Sequence, residues 1–577
     1  MFPDIFYKPF LWAQIFEPEF LWVEYRRMDL GAPTSTLIPF GKSFQNPSIS
    51  ILFSRDASTY SYFISFSDSV QLLQAEIQGR FRNMPDFLLL SHGFQSWSES
   101  RYLGPGDKQK PPSACIRPFS RYYGDTEFFN YKQWRSWQHS WNFTAVPLAQ
   151  DTVELLASLN ENEAYTCIRW NWKAGCFVMA RDVKGKCVGS EPWPLFEVYH
   201  QIGPWERVWK QWALLYEGSK PYRPADTLRG WTSWYYHYNK IDENRLLENV
   251  RAFCEEPVQV IQIDDGYQKS VGEWTLTNEK FPRGVRPIAD SVHRCGKKAG
   301  IWVAPFVVSR RSQVFREHPD WLLKTPEGKP LRVGYNPLWG GWYYALDFYR
   351  PEVQDYLGAA LDTLLRAWNF DFLKADFLFA VGVLPRPNKN RTRAGVMSDA
   401  LEWLRKKTEG KDLLLCGVPL GPAFKKTDYC RIGNDVHLRW DMGLLQLLRA
   451  PERPSTRLSI QNTLTRAPLG GLVFQNDPDV FILREERQHL SKEQKELLFR
   501  VNTWLGAILF TSDNPSRYSA ELRKQWQSYY KTPEKPAATP RPLGGNKWLL
   551  KSEQKDEVWV LDLKKGRMYS IGSNSRP

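Results

Sequence analysis

The feature that most constrains the fold lies after Arg229, where short apolar runs alternate with segments of helical pattern. Runs of this length and composition are typical of strands buried on both faces of a parallel sheet. Eight strand–helix units match a (β/α)₈ barrel in number and length, and an open parallel sheet with the same alternation is the alternative. The apolar runs span residues 230–234, 258–263, 300–306, 370–377, 413–418, 429–433, 471–475 and 507–511.

Helix boundary signals fall between these runs. Pro351 stands at a predicted helix start and is followed by leucines at helical spacing. Ser398 is a candidate N-cap for a helix that ends at Gly410. Ser491 and Gln494 have the spacing of a capping box. These signals support helical crossovers between the predicted strands.

The two ends of the chain have a different pattern. Residues 59–67 alternate apolar and polar side chains, and 168–179 has the pattern of a β-hairpin. A polar segment at 217–226 and a proline-rich segment at 532–545 indicate linkers, and short strands are predicted after the second one. We therefore predict a multidomain α/β plus all-β protein: an N-terminal β-sandwich at 1–220, a central TIM barrel at 221–512 and a small C-terminal β-sheet domain at 513–577.

The charge, the apolar content and the cysteines of the chain indicate which partners and which location to expect. The net charge of +14 is compatible with a polyanion partner, but the basic residues are spread along the chain, which favours a solvated basic surface without a nucleic-acid partner. No apolar run is long enough to span a membrane, and the N-terminus lacks the pattern of a secretory signal. The eight cysteines form neither a disulfide framework nor a zinc motif. We expect a cytoplasmic protein.

Polar side chains lie where the predicted strands end, which is where a barrel builds its active site. Lys374 and Asp376 are two residues apart and therefore point to the same side of a strand. A lysine beside an aspartate is expected to lower the carboxyl pKa and keep it ionised, as a nucleophile for a sugar anomeric carbon requires. The alternative is a buried structural salt bridge.

Asp435 follows another predicted strand and lies four residues after Arg431. It is a candidate proton donor, or alternatively a residue that caps a loop. Asp376 and Asp435 together would form the two-carboxylate system of a glycosidase. The doublet Asp264–Asp265 closes a further strand and could bind a metal ion, bind sugar hydroxyls or cap the following helix. Sugar hydroxyls are favoured over a metal ion, because carboxylates are good acceptors and a metal would need further ligands nearby. No nucleotide-binding, zinc-protease or serine-hydrolase motif is present.

At these positions the chain resembles the family 36 glycoside hydrolases of clan D, and most closely their shorter bacterial α-galactosidases. Matching segments occur in the family's order across the barrel. They are FQSWS (94–98), RGWTSWYYHY (229–238), IQIDDGYQ (261–268), GIWVAPFVVS (300–309), HPDWLL (318–323), YALDF (344–348), FLKADFLFA (372–380), LLLCGVPL (413–420), RIGNDVHLRW (431–440) and NDPDVFILREE (476–486).

The resemblance implies a retaining exo-α-galactosidase without a metal or organic cofactor. It assigns the nucleophile to Asp376 and the acid/base to Asp435. It implies that Asp264 and Asp265 hold the 4- and 6-hydroxyls of galactose. Further sugar contacts are implied for Lys374, Arg431, Trp302, Cys416, Trp234, Tyr235 and, from the N-terminal domain, Trp97. The expected partners are small α-galactosides, and a homo-oligomer is possible.

The sequence departs from the family pattern at a few positions. Thr232 and Val418 replace a frequent Cys and a small polar residue. Asn434 replaces a frequent Pro, and residues 437–440 replace an APxW-like run, so leaving-group preference is open. The alternatives are an α-N-acetylgalactosaminidase, an α-galactosyl transglycosylase and a catalytically silent sugar-binding barrel. Cys416 favours plain galactose, and the presence of both aspartates argues against the silent barrel.

Overall fold

The computed structural model describes residues 14–28, 31–82, 84, 86–149, 151–216, 222–450, 452–531, 540–551 and 557–571. The predicted domain boundary at residue 220, the first part of the predicted linker 217–226 and most of the proline-rich segment 532–545 lie outside these ranges. Among the described helices, none is long and apolar enough to cross a membrane.

The N-terminal part is built mainly from β-strands. Its strands are β1 (Phe16–Arg27), β2 (Thr34–Pro39), β3 (Phe44–Gln45), β4 (Ile49–Arg55), β5 (Thr59–Phe66), β6 (Val70–Phe81), β7 (Leu89–Ser91), β8 (Arg101–Leu103), β9 (Gln138–Trp141), β10 (Phe143–Ala149), β11 (Thr152–Ser158), β12 (Thr166–Asn171), β13 (Cys176–Arg181), β14 (Cys187–Val188) and β15 (Trp193–Pro204). The helices here are α1 (Arg117–Ser120) and α2 (Trp205–Leu215).

Two antiparallel sheets of this part form a sandwich. One has the order β2-β1-β6-β13-β12-β9, with β14 beside β6, and the other has the order β10-β11-β15-β5-β4-β3. Buried and partly buried residues alternate strictly along β5, as expected for a strand with one face on a core. Side chains of both sheets, such as Ile77 and Ile64, belong to the same buried cluster. The two sheets therefore share one core.

The central part is a closed parallel barrel. Its strands are β16 (Leu228–Thr232), β17 (Val260–Ile263), β18 (Lys298–Val303), β22 (Phe372–Ala375), β23 (Asp412–Leu415), β24 (Tyr429–Arg431), β25 (Gln475–Asp477), β26 (Val480–Phe481) and β27 (Ile508–Thr511). They pair in parallel in this order, β25 with β24, β26 with β27, and β27 with β16. Since β25 and β26 are two short pieces of one strand position, the barrel has eight positions, and the predicted fold class is confirmed.

The barrel helices follow their strands. They are α3 (Trp234–His237), α4 (Glu243–Phe253), α5 (Arg286–Arg294), α6 (Gln313–Glu317), α7 (Pro351–Asp362), α8 (Arg393–Lys407), α9 (Leu420–Ala423), α10 (Gly443–Leu447), α11 (Thr456–Arg466) and α12 (Lys492–Leu505). The predicted helix start at Pro351 and the predicted capping box of Ser491 with Gln494 are both confirmed. The predicted cap at Ser398 is wrong, because Thr392 caps α8 by accepting a hydrogen bond from the Gly395 amide at 3.0 Å.

A long insertion follows β18 and carries a small antiparallel sheet. Its strands are β19 (Val307–Ser309), β20 (Arg332–Asn336) and β21 (Gly341–Ala345), in the order β19-β21-β20. A short 3₁₀ turn, Pro337–Trp339, joins β20 to β21. This insertion brings Trp339 to the rim of the barrel.

The last part begins with α13 (Ala520–Lys531) and ends in a four-stranded antiparallel sheet, β28 (Arg541–Gly544), β29 (Lys547–Lys551), β30 (Val558–Asp562) and β31 (Arg567–Ile571). Helix α13 packs on the barrel, since the Trp526 indole donates to Glu256 at 2.7 Å. The domain boundary at 512 therefore stays a prediction, with a barrel-packed helix after it.

Cys254 and Cys295 form a disulfide between the ends of α4 and α5. The sequence did not indicate this pair, because the two cysteines are 41 residues apart and belong to no recognisable motif.

Candidate active site

The acidic doublet lies at the end of β17. The backbone amide of Asp264 donates to the Ser233 hydroxyl at 2.9 Å, which fixes the turn. Asp264 Oδ2 accepts from Gln262 Nε2 and from Lys374 Nζ, both at 2.9 Å. The Lys374–Asp264 pair is buried, at 7% and 4% side-chain exposure. The direct ion-pair partner of Lys374 is therefore Asp264 of the doublet.

Asp265 is held from the other side. Its two carboxylate oxygens accept from Gln268 Nε2 at 2.6 Å and from Trp339 Nε1 at 2.7 Å. Burial raises the pKa of Asp265 to about 6, and the two hydrogen bonds oppose that rise. The doublet therefore consists of two oriented carboxylates, of the kind that accept hydrogen bonds from sugar hydroxyls.

Asp376 follows β22 directly and is 6% exposed. One carboxylate oxygen accepts from Trp302 Nε1 at 3.1 Å, and the other accepts from the Phe377 amide at 2.8 Å. Both bonds fix the orientation of the carboxylate, as a nucleophile requires. The structure thus brings Trp302 and Lys374 to Asp376, on neighbouring strands β18 and β22.

The expectation that Lys374 lowers the pKa of Asp376 below its ordinary value is wrong as a net result. The pKa is raised, because burial outweighs the attraction of Lys374, and the charge of Asp435 adds to the rise. Lys374 does favour the ionised form. Sequence spacing shows that the two residues share a side of the strand, but it does not show the cost of burial or the nearer partner Asp264.

Arg431 ends β24 and is held by carboxylates on all sides. Its Nε is 2.8 Å from Asp477, its Nη1 2.9 Å from Asp435, and its Nη2 2.9 Å from Asp479. Asp477 and Asp479 are almost fully buried, whereas the Asp435 side chain is 35% exposed. Arg431 therefore connects the buried carboxylates of Asp477 and Asp479 to the partly exposed carboxylate of Asp435.

Asp435 and Asp376 lie within electrostatic range of each other and of Cys416. The charge of Asp435 raises the pKa of Asp376. Burial raises the pKa of the Cys416 thiol, and the charges of Asp376 and Asp435 both contribute. The two aspartates therefore act on one region, in which Asp376 is buried and the Asp435 side chain is partly exposed.

The remaining predicted site residues lie around this region. Tyr235 donates its hydroxyl to Asp479, and the Trp234 ring lies 5.3 Å from Tyr238. Trp97 reaches the barrel from the N-terminal part, 5.2 Å from the Phe377 ring. A Cβ at Gly417 would lie 2.8 Å from Trp97, and Gly417 has a φ of +56°, so both contact and backbone require glycine.

Sequence reasoning gave no role to several residues of the site. In the sequence, Asp477 and Asp479 are two acidic residues after a predicted strand, and this pattern does not indicate that they pair with Arg431. Trp339 lies in the insertion after β18, where no sequence signal pointed to a contact with Asp265. Among the described residues, no group of three or more His, Cys, Asp or Glu side chains is arranged to hold a metal ion.

Part of the chain resembles a known protein family. Residues 220–400 match the Melibiase family model. These residues therefore resemble a melibiase domain. The matched region contains β16 to β22, and hence the acidic doublet, Trp302 and Asp376, and it ends within α8.

Curated relatives of the chain are named α-galactosidases. The enzyme of Escherichia coli is 31% identical over 156 residues, which is 26% of this chain and 21% of the relative. α-Galactosidase 1 of Pediococcus pentosaceus is 24% identical over 296 residues, 50% of this chain and 37% of the relative. The matched segments therefore span about a third of these relatives or less.

A solved structure covers more of the chain. The α-galactosidase of Thermus thermophilus, in complex with p-nitrophenyl α-D-galactopyranoside, superposes with a TM-score of 0.70 at 25% identity, over 91% of this chain and 100% of that one. α-Galactosidase AgaA of Geobacillus stearothermophilus shares the fold, with a TM-score of 0.60 at 14% identity over 89% of this chain and 72% of that one. The resemblance to family 36 glycoside hydrolases is confirmed.

Proposed function

We propose that the protein is a retaining exo-α-galactosidase that removes terminal α-D-galactosyl residues from oligosaccharides. The observation that carries the proposal is the pair Asp376 and Asp435, of which one is buried and fixed by two hydrogen bonds and the other is partly exposed within its electrostatic range. A glycosidase needs these two roles at one bond. The Thermus protein in complex with stachyose, 26% identical and with a TM-score of 0.69, supports an oligosaccharide substrate.

The proposed reaction proceeds in two displacements. An oxygen of Asp376 attacks the anomeric carbon while the glycosidic C–O bond breaks, and Asp435 transfers its proton to the departing oxygen. The galactosyl ester on Asp376 is then cleaved by water, whose proton returns to Asp435. Lys374 favours the ionised form of Asp376. Arg431 holds Asp435 in place during both steps.

Substrate choice is assigned to the doublet and Cys416. Asp264 and Asp265 are oriented acceptors for two hydroxyls, and the resemblance places the buried Cys416 near the 2-hydroxyl, which favours plain galactose. One relative, 28% identical over 172 residues, 28% of this chain and 15% of the relative, is named A type blood α-D-galactosamine galactosaminidase. A panel of nitrophenyl α-galactoside, α-N-acetylgalactosaminide and α-glucoside therefore tests the preference directly.

The decisive experiment compares Asp376→Ala, Asp435→Ala and, as a matched control, Asp362→Asn on the exposed surface of α7. We expect Asp376→Ala to lower kcat by about 10³-fold or more and the control to keep it. Asp435→Ala should lose far more on poor leaving groups than on nitrophenyl galactoside, because only poor leaving groups need the proton.

Product stereochemistry tests retention. Proton NMR of the reaction mixture should show α-galactose first, and azide should rescue Asp435→Ala with formation of the α-galactosyl azide. Release of β-galactose first, or wild-type activity of Asp376→Ala, contradicts the proposed mechanism. Galactosyl transfer in excess of hydrolysis, measured as nitrophenol released beyond free galactose, would identify a transglycosylase instead.

A further inference from the structure

A cleft of about 720 Å³ lies on the small sheet of the insertion after β18, beside the N-terminal segment that carries α1. Its volume is in the range of ligand-binding clefts and is far larger than a single ion needs. The lining residues come from both parts of the chain. Arg121 and Tyr122 come from the N-terminal segment, and Arg310, Lys329, Arg332 and Trp342 come from the insertion.

The floor of this cleft is aromatic and apolar. Tyr122 and Tyr344 are each 6% exposed, and the Phe315 ring lies 4.6 Å from Tyr344. Trp342 is only half-buried and presents part of its indole at the side. Rings of this kind offer flat apolar surface with polar atoms at the edge, which suits the faces of sugar rings.

The rim is basic. Arg310, Lys329 and Arg332 are exposed, and the Arg332 guanidinium lies 5.3 Å from the centre of the Trp342 ring. None of the lining residues is acidic. Arg121 is paired with Glu127 at 2.5 Å. Two arginines and one lysine thus remain to face a ligand.

The cleft is separate from the candidate active site. Neighbouring residues of β21 point to opposite faces of the sheet. Trp342 and Tyr344 line the cleft, whereas Tyr343 faces the other way, 5.7 Å from Phe377 and hydrogen-bonded to Tyr123 at 2.7 Å. One strand therefore lies between the cleft and the candidate active site.

We propose that the cleft is an accessory binding site for an anionic saccharide. Its sugar rings lie on the aromatic floor, and its carboxylate, sulfate or phosphate groups bind the guanidinium groups of Arg310 and Arg332, with Lys329 as an additional cation. Guanidinium groups bind such oxyanions through paired hydrogen bonds. This site is independent of the hydrolysis proposed above.

Calorimetric titration of the full chain tests the proposal with two matched ligands, an α-linked galacturonic acid trisaccharide and its methyl ester. We expect the acid to bind at least about tenfold more tightly than the ester, and added salt to weaken it. Arg332→Gln should weaken the acid about fivefold or more, while Arg366→Gln, an exposed arginine of α7, should not. Both variants should hydrolyse nitrophenyl galactoside like the wild type. Hexose 6-phosphate and 6-sulfate, each against the neutral hexose, identify the preferred anion.

Equal affinity for acid and ester contradicts the proposal, and so does inorganic phosphate that binds as tightly as the sugar acids. Absence of any binding below about 10 mM would also overturn it. A change in oligomer mass by light scattering in Arg332→Gln, with unchanged ligand affinity, would identify the cleft as a contact between copies. Loss of hydrolysis in Asp376→Ala with intact cleft binding separates this test from that of the proposed function.

Discussion

At the scale of single residues, the site depends on how buried charges are shared. Arg431 forms ion pairs with three carboxylates. Lys374 forms an ion pair with Asp264, and its charge also favours the ionised form of Asp376. Burial of an ion pair costs desolvation free energy, and removal of one partner leaves the other charge buried without compensation. Removal of Lys374 should therefore disturb both the orientation of Asp264 and the ionisation of Asp376, the proposed nucleophile.

Lys374→Met tests this arrangement. Loss of the positive charge raises the pKa of Asp376, so the acidic limb of kcat/KM should shift to higher pH. We expect kcat/KM to fall about 100-fold or more at neutral pH. Lys374→Arg is the matched control that keeps the charge, and it should keep the position of the limb. An unshifted limb in the methionine variant would show that Lys374 acts only on Asp264.

Glu452 provides a test of stability against pH. Burial raises its pKa to about 8, the hydrogen bond from Ser98 opposes the rise, and the charge of Asp125 adds to it. The folded protein therefore binds a proton that the unfolded chain releases near pH 4.5. The stabilisation from this proton is complete below that pH and is lost as the pH rises towards 8.

Glu452→Gln keeps the neutral form at every pH. The variant should match the wild type in Tm at pH 4 and exceed it by about 2–4 °C or more at pH 9, measured by calorimetry. The exposed carboxyl of Glu206, changed to Gln, is the control. If the difference in Tm stays constant from pH 4 to pH 9, Glu452 does not carry the proton.

At the scale of elements, regular strands were predictable and the insertion was not. The apolar runs predicted seven barrel strands in place, because buried parallel strands are apolar on both faces. The seventh prediction, 471–475, lies too early, since the strand consists of polar β25 and short β26 with Pro478 between them. Trp339 could not be predicted, because its contact with Asp265 depends on how the insertion folds back over the barrel.

Trp339→Phe tests the role of this insertion. Phe keeps the ring against Phe377, now 4.7 Å away, but removes the N–H that Asp265 accepts. The pKa of Asp265 should then rise above about 6. We expect kcat/KM for galactosides to fall about 10-fold at pH 8 and further at pH 6, where the carboxyl becomes protonated. Trp342→Phe, on the other face of the insertion, should leave the pH profile unchanged. A loss independent of pH would show that Trp339 acts through packing alone.

At the scale of the whole molecule, the three parts converge on the barrel rim. Trp440, five residues after Asp435, donates to the Leu563 carbonyl of the C-terminal part at 3.2 Å. Asn434 donates to the Arg453 carbonyl at 3.0 Å and accepts from Asn462 at 2.9 Å. Asn434, which departs from the family pattern, and Trp440 therefore both brace the loop of Asp435.

The N-terminal part is joined to the barrel by Arg466 of α11. This fully buried guanidinium donates to the carbonyls of Ser96 at 2.7 Å and of Gln95 and Ser98 at 3.0 Å, on both sides of Trp97. It also donates to the Ile432 carbonyl of the barrel at 2.7 Å. Arg466 thus fixes the loop that brings Trp97 against Phe377 and Gly417.

Arg466→Lys keeps the charge but cannot reach these carbonyls together, because an ammonium lacks the planar set of five donors. Buried carbonyls left without partners should destabilise the fold by about 1–3 kcal/mol and loosen the Trp97 loop. We expect KM for galactosides to rise about 10-fold with a smaller change in kcat, and hydrogen exchange of residues 94–98 to accelerate in the folded protein. Arg405→Lys, a half-buried arginine that pairs with Asp428 away from this loop, is the control. Faster exchange in 94–98 with unchanged KM would show that Trp97 does not contribute to substrate binding, whereas unchanged exchange would show that Arg466 does not hold the loop.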